Sequence, residues 1–246
     1  MWKRILALGL AFCMAALFAA CKTPEQNPNE NENDPTNGGL EDAAPTVVEG
    51  GTIGESALTW ELKSDGTLYI KGTGEMGEFD VNSAISTRQP WHDYIANDGS
   101  VTIKKLVVES GVTALAEGAF QGCINLESAE VASTVTKIPY QCFSRCTMLR
   151  TIRAKGVSVV DDFAFQYCAM LTTLTLSASL CSVWDGAFFE IATQSGSFAV
   201  RLAGTAEEWS AAQDKMNESD EDDFEIFEEG NQTFIEALEN VTFVGK

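Results

Sequence analysis

Five cysteines lie in the body of the chain, and three of them, Cys123, Cys146 and Cys168, recur in step. Thiolates ligate zinc, but a zinc site wants paired C-x-x-C-like spacing with further ligands. Cys142 and Cys146 are four apart, and a repeat described below explains Cys146 as an interior residue, so no metal and no other cofactor is predicted. Cysteine also behaves as a small, readily buried apolar group, which makes the periodic three a buried ladder. An oxidising compartment permits disulfides. An odd set of five leaves at least one thiol free, and the natural member of any bridge is Cys142, whose aligned neighbours are Ala119, Ala164 and Ala187.

The single histidine, His92, stands in PWHDY beside Asp93. A general base needs a positioned nucleophile or water and an orienting partner. Asp93 adjoins it in sequence but points elsewhere on most backbones. No G-x-S-x-G, H-E-x-x-H or phosphate-binding glycine loop accompanies it. His92 therefore reads as a surface or cap residue, and no catalytic residue is assigned. The acidic run at residues 218–230, ESDEDDFEIFEEG, offers carboxylates to calcium but lacks the alternation of an EF-hand loop. It reads as a solvated insertion.

The elements that position these residues repeat. Phe120, Phe143, Phe165 and Phe188 recur at spacings of 23, 22 and 23 residues. Val112, Val135, Val157 and Leu180 align, as do Leu115, Ile138, Val160 and Val183. After each periodic cysteine comes L-x-x-Φ-x-Φ, with Φ apolar: Leu126/Ala129/Val131, Leu149/Ile152/Ala154 and Leu171/Leu174/Leu176. Further copies are Ile103/Leu106/Val108, Leu238/Val241/Phe243 and a shifted Val200/Leu202. The period falls in the leucine-rich-repeat range. Such a unit buries its apolar side only against neighbouring units, so the segment is predicted to stack into a short parallel sheet. Six strands at about 4.8 Å give roughly 25 Å.

The flanks carry their own signals. Residues 60–70 alternate across SDG, a hairpin that would cap the first open edge of the sheet. Thr205 and Glu208 form a capping-box pattern opening a helix. The predicted fold is an α/β leucine-rich-repeat solenoid with a short parallel sheet and a small β-rich N-terminal cap. Its divisions are an export signal at 1–20, a lipid-bearing Cys21 with a disordered tether at 21–51, the cap at 52–100, repeats at 101–202, and a closing unit with the acidic insertion at 203–246.

The N-terminal division rests on Lys3 and Arg4, an apolar run over residues 5–18, and Ala19 and Ala20, the order of a secretory signal. The string LFAAC resembles the lipobox of bacterial lipoproteins. That resemblance implies lipidation of Cys21, cleavage before it and, with Lys22 following, an outer-membrane destination. Two or more acyl chains hold a protein stably at a membrane. Residues 22–51, rich in Asn, Glu, Pro and Gly, cannot bury enough surface to offset their ordering entropy. Formal net charge is −20; loss of Lys3 and Arg4 leaves 14 basic against 36 acidic residues, a net −22. Such a surface disfavours nucleic acid and anionic headgroups.

The repeats resemble the BspA-like leucine-rich repeats of bacterial surface proteins. Residues 57–76 (ALTWELKSDGTLYIKGTGEM) and 89–94 (QPWHDY) are similar to that family's N-terminal cap. Residues 203–213 and 237–245 are similar to its closing unit. The resemblance implies adhesion, or recognition of proteins or surface polymers, without catalysis. By strand parity the exposed sheet face carries Lys105, Val107, Ser128, Glu130, Thr151, Arg153, Thr173, Thr175, Ala199 and Arg201. Only Arg153 and Arg201 are of the types that dominate binding hot spots. A second flank carries Tyr140, Phe163, Tyr167, Trp184 and Phe189, which either face a partner or pack against adjacent turns. Lys105, Glu130, Arg153, Arg201, Tyr140, Phe163 and Trp184 are the candidate binding residues. The leading expectation is a membrane-anchored, surface-exposed binding protein. The alternatives are a periplasmic or envelope-complex accessory subunit and, less favoured, an enzyme.

Overall fold

Each repeat closes into one turn of a stacked coil, because its apolar residues find neighbours only in the turns above and below. The computed structural model describes residues 44–79, 88–95, 101–218 and 226–246. The predicted signal, Cys21 and most of the predicted tether lie outside the described residues. Ala44–Lys246 cluster as one unit.

Three strands of the main sheet precede the repeats: β1 (Val47–Thr52), β2 (Leu58–Lys63) and β3 (Thr67–Gly72). The repeats contribute β5 (Lys105–Val108), β7 (Ser128–Val131), β9 (Thr151–Arg153), β11 (Thr173–Ser177) and β13 (Ala199–Ala203), and β14 (Thr242–Val244) follows the closing helices. They form one nine-stranded sheet in the order β1-β2-β3-β5-β7-β9-β11-β13-β14. Pairing is antiparallel from β1 to β3 and parallel from β3 to β14. On the return path β8 (Lys137–Ile138), β10 (Val159–Val160) and β12 (Ser182–Val183) make a second, three-stranded parallel sheet. The short β4 (Gly74–Glu75) pairs with β6 (Val112–Ala114). The hairpin across SDG is the β2–β3 pair, its turn held by the Thr67 amide on Asp65 Oδ1 at 2.9 Å.

Six aromatic rings stack through the interior. Trp91, Phe120, Phe143, Phe165, Phe188 and Phe234 lie face to face, with successive centroids 5.5, 5.3, 5.5, 5.2 and 4.2 Å apart. Interplanar angles are 20° or less, so each ring is offset-stacked on the next. Each such pair adds about 0.5–1.5 kcal/mol beyond its burial. The cysteine ladder runs beside this spine. Cys146 Sγ donates to the Phe120 carbonyl and Cys168 Sγ to the Phe143 carbonyl, both at 3.2 Å. Cys123, Cys142, Cys146 and Cys168 are buried free thiols, and Cys181 is a half-buried one.

A main-chain ladder parallels the spine. The amides of Phe120, Phe143 and Phe165 donate to the carbonyls of Cys142, Ala164 and Ala187, each one turn on, at 2.9, 2.8 and 2.8 Å. Such a ladder leaves an acceptor open at its first turn and a donor open at its last, and a buried unpaired group costs about 1–3 kcal/mol. Side chains close both ends. Trp91 Nε1 donates to the Ala119 carbonyl at 3.1 Å, the site that Cys142, Ala164 and Ala187 occupy in later turns. The Phe188 amide donates to Asn231 Oδ1 at 2.9 Å, and Asn231 Nδ2 donates to the Trp184 and Phe227 carbonyls at 2.8 Å each. Gln89 Nε2 adds a bond to the Gly118 carbonyl at 2.8 Å.

Three expectations need correction. The predicted tether reaches residue 51, but Val47–Thr52 is strand β1. Its six residues are all exposed, so it is ordered by its ladder to β2 and by Tyr94 donating to Glu49, not by burial. Composition alone could not show this. Glycine suits the position, because a Cβ on Gly50 would lie 2.6 Å from the Trp60 carbonyl oxygen. Second, the acidic run is not wholly a solvated insertion. Residues 226–230 continue the coil: the Phe227 amide donates to the Val183 carbonyl and the Gly186 amide to the Glu229 carbonyl, both at 2.9 Å. Third, Phe243, aligned as an interior residue, is 38% exposed, because β14 is the sheet's edge strand and no turn of the described residues covers it.

The closing helices are α1 (Ala206–Glu218) and α2 (Gln232–Leu238). The capping box forms reciprocally: the Glu208 amide donates to Thr205 Oγ1 at 3.2 Å and the Thr205 amide to Glu208 Oε2 at 3.0 Å.

Candidate functional site

Alternation along each strand sends Leu106, Ala129, Ile152, Leu174 and Val200 inward. It leaves the flanking residues on the outer sheet face. Register then lines those residues into rows. One row runs Glu61, Tyr69, Val107, Glu130, Arg153, Thr175, Arg201 and Thr242. The next runs Thr67, Lys105, Ser128, Thr151, Thr173 and Ala199. Lys105, Glu130, Arg153 and Arg201 are thus brought onto one face, as parity predicts, and all four are exposed, whereas Thr175, expected to be exposed on the same face, is buried between its neighbours at 4%.

The charges of this face are unevenly matched. Glu61 meets Lys71 at 2.8 Å and Lys63 at 3.2 Å. Its bonds to Lys71 and then Lys63 hold the Glu61 carboxyl below the usual range. Lys71 also lies 5.3 Å over the Tyr69 ring. Arg153 Nε is 3.6 Å from Glu130, with both side chains mostly exposed (59% and 64%), so the pair adds little stability. Arg201 stands in register with Thr175 on one side and Thr242 on the other and makes no ion pair among the described residues.

Tyr140, Phe163 and Trp184 are placed elsewhere. They follow β8, β10 and β12 on the return path, so the seven predicted residues form two groups, not one site. The aromatic flank packs in part against adjacent turns. Tyr140 packs edge-on against Phe163 at 6.1 Å and Tyr167 against Phe189 at 5.8 Å, while Trp184 stacks on Phe227 at 5.5 Å. Yet Tyr140, Tyr167 and Phe189 remain 38%, 38% and 39% exposed. Several flank residues adopt left-handed backbone: Gln141 and Phe163 at φ +52° and +55°, Arg145, Tyr167 and Glu190 at +62°, +63° and +54°. The first turn has Gly118 and Gly122 at the equivalent places. Non-glycine residues there cost about 1–2 kcal/mol each, a cost offset by the ladder that fixes every turn alike.

His92 lies in a short 3-10 turn (His92–Tyr94), with Nε2 3.0 Å from Arg88 Nη1. The buried thiols are held protonated. Burial raises Cys123 and Cys168 to about 12. It also raises Cys142 and Cys146 well above the usual thiol range, with neighbouring thiols adding to the effect. They serve packing, since the thiolate is the nucleophile and metal ligand. Sequence reasoning missed Asn231 and Phe234 as structural partners of Phe188. A signal existed, for Phe234 follows Phe188 by two repeat lengths.

Residues 96–201 match the BspA type leucine rich repeat region, in six copies. No curated protein matches the chain. Among solved structures, the chain is similar to a leucine-rich repeat protein from Eubacterium ventriosum. The two are 22% identical, 63% of this chain and 44% of that one are covered, and the TM-score is 0.45. It is also similar to a leucine rich cell surface protein from Faecalibacterium prausnitzii, with 20% identity, 63% and 40% coverage, and a TM-score of 0.41. A third is the Leucine Rich Repeat protein of T. pallidum, with 21% identity, 59% and 69% coverage, and a TM-score of 0.38. The match spans less than half the length of the first two.

Proposed function

Residues 96–201 are a BspA-type leucine-rich repeat region, and from that premise we propose that this protein is a non-catalytic binding scaffold, held at a membrane by lipid on Cys21 and displayed at the cell surface. The observation that carries the reading is the outer sheet face. A capped, rigid stack presents Glu130, Arg153 and Arg201 in one row and Lys105 in the next, all exposed. Binding side chains on regular elements are placed more accurately than side chains on loops. No helix among the described residues is long and apolar enough to cross a membrane. The basic, apolar and small-residue order of residues 1–20, ending at Cys21, supports a lipid anchor in its place.

Protease shaving of intact cells, read with an antibody to the folded domain, tests this. The expected outcome is loss of antigen from unlysed cells. Protection until the outer membrane is opened would sink the surface reading. It would favour an accessory subunit of an envelope complex, for which the exposed rings of Tyr140, Tyr167 and Phe189 supply a docking flank.

A further inference from the structure

We propose that the outer sheet face takes an extended anionic polysaccharide, with its acidic groups on the cations Lys105, Arg153 and Arg201 of two adjacent rows; the inference rests on the scaffold reading above and names the ligand class of that face.

The first observation is segregation of charge. The chain as a whole is strongly acidic, at −20. The outward positions of β2 to β13 carry Lys63, Lys71, Lys105, Arg153 and Arg201 against Glu61 and Glu130, five cations to two anions, a local +3. Glu61 is taken up by Lys63 and Lys71, so the unmatched charge lies toward β13. Asp65, within electrostatic reach of Lys105, and Glu109, within reach of Lys71, lie at the margin of this face, and screening over about 8 Å at physiological salt separates it from more distant acidic groups.

The second observation is spacing. Lys105, Arg153 and Arg201 stand on β5, β9 and β13, every second strand of the parallel sheet. Strands about 4.8 Å apart put Arg153 and Arg201, which share a row, about 10 Å apart, and Lys105, in the adjacent row, about 12 Å from Arg153 on a diagonal. That is the scale of two pyranose rings joined end to end, so a polymer with one acidic group per disaccharide meets a cation at each repeat.

The third is the company the cations keep. Ser128, Thr151 and Thr173 fill positions around them, giving hydroxyls that donate to carboxylate or sulfate oxygens and exchange hydrogen bonds with sugar hydroxyls. Tyr69 is the one aromatic on the strand rows of this face. A protein partner would want desolvated aromatic anchors, and an extended peptide would add to a strand edge through its main chain. The face offers neither.

The test uses the full chain in detergent, with polygalacturonate as the probe, neutral dextran and polyglutamate as comparisons, and affinity read at two salt concentrations. Binding to polygalacturonate that weakens with salt is expected, with dextran unbound. Arg153→Gln with Arg201→Gln should weaken it at least tenfold without moving the unfolding midpoint, and Lys105→Gln on a separate strand should weaken it independently. Absence of binding, equal binding by the variants, or polyglutamate bound as tightly as polygalacturonate would each overturn the proposal. A chain that shaving places outside the cell but that ignores polygalacturonate refutes this inference alone. A protected domain refutes the surface reading, whatever the polymer does.

Discussion

The Phe188 amide nitrogen donates to the side chain of Asn231, 2.9 Å away, where each earlier spine phenylalanine donates to the main chain of the next turn. One buried amide group thus imitates a missing repeat. It satisfies the last donor with its oxygen and two carbonyls, of Trp184 and Phe227, with its nitrogen.

Asn231→Ala strands these groups. Each buried unpaired group costs about 1–3 kcal/mol, so a loss of about 2–4 kcal/mol is expected from urea midpoints, with faster amide exchange at Phe188. Unchanged exchange there would remove Asn231 from its capping role.

Phe143 is fully buried between Phe120 and Phe165. Phe143→Ala should cost about 3–5 kcal/mol through lost burial and the cavity left behind. Phe189, 39% exposed on the flank, should lose under about 1 kcal/mol on the same change. Chemical denaturation of the two variants checks the contrast.

Cys123 and Cys168 hold their protons to about pH 12 when folded. In the unfolded chain a thiol ionises near ~8.5. Above that pH the unfolded state binds fewer protons than the folded state, so unfolding free energy falls as pH rises. Stability should be level in this respect below pH ~8 and decline toward 12, and Cys123→Ala should flatten the decline. In the native state a thiol reagent at pH 8 should reach the half-buried Cys181 first.

Glu190 is exposed and holds φ +54°. Glycine takes that conformation freely, so relief of about 1–2 kcal/mol is set against glycine's greater chain entropy of about 0.5–1 kcal/mol. Glu190→Gly should raise the unfolding free energy by up to about 1 kcal/mol, read from the thermal midpoint. A fall would show that the side chain makes compensating contacts.

Cys21→Ser should abolish labelling by a radioactive fatty acid and release the protein from the membrane fraction. Retained labelling would place the lipid elsewhere.

Much of the fold was legible in the sequence, because a stacked repeat buries the same positions in every turn. Val112, Val135, Val157 and Leu180 all prove buried, as do the four periodic phenylalanines and the three periodic cysteines. Strand parity also gave the outer face, since a period of two leaves Arg153 and Arg201 no other side. The capping box of Thr205 and Glu208 was legible for a local reason: both partners lie within one turn of helix.

What escaped lies where the period stops. Val47–Thr52 carries no burial signal, since pairing with β2 orders it, and pairing partners are a property of the folded chain. Trp91 and Asn231 close the two ends of the ladder, yet neither sits in a repeat. Their places follow from which carbonyl and which amide the stack leaves open, 28 residues from Trp91 and 43 residues from Asn231. Periodicity in the sequence determined the turn, its core and the parity of its faces, because those depend on contacts that every repeat makes alike. The tertiary structure alone decided how the stack begins and ends and which outward residues share a row, because those depend on pairings between segments far apart in the chain.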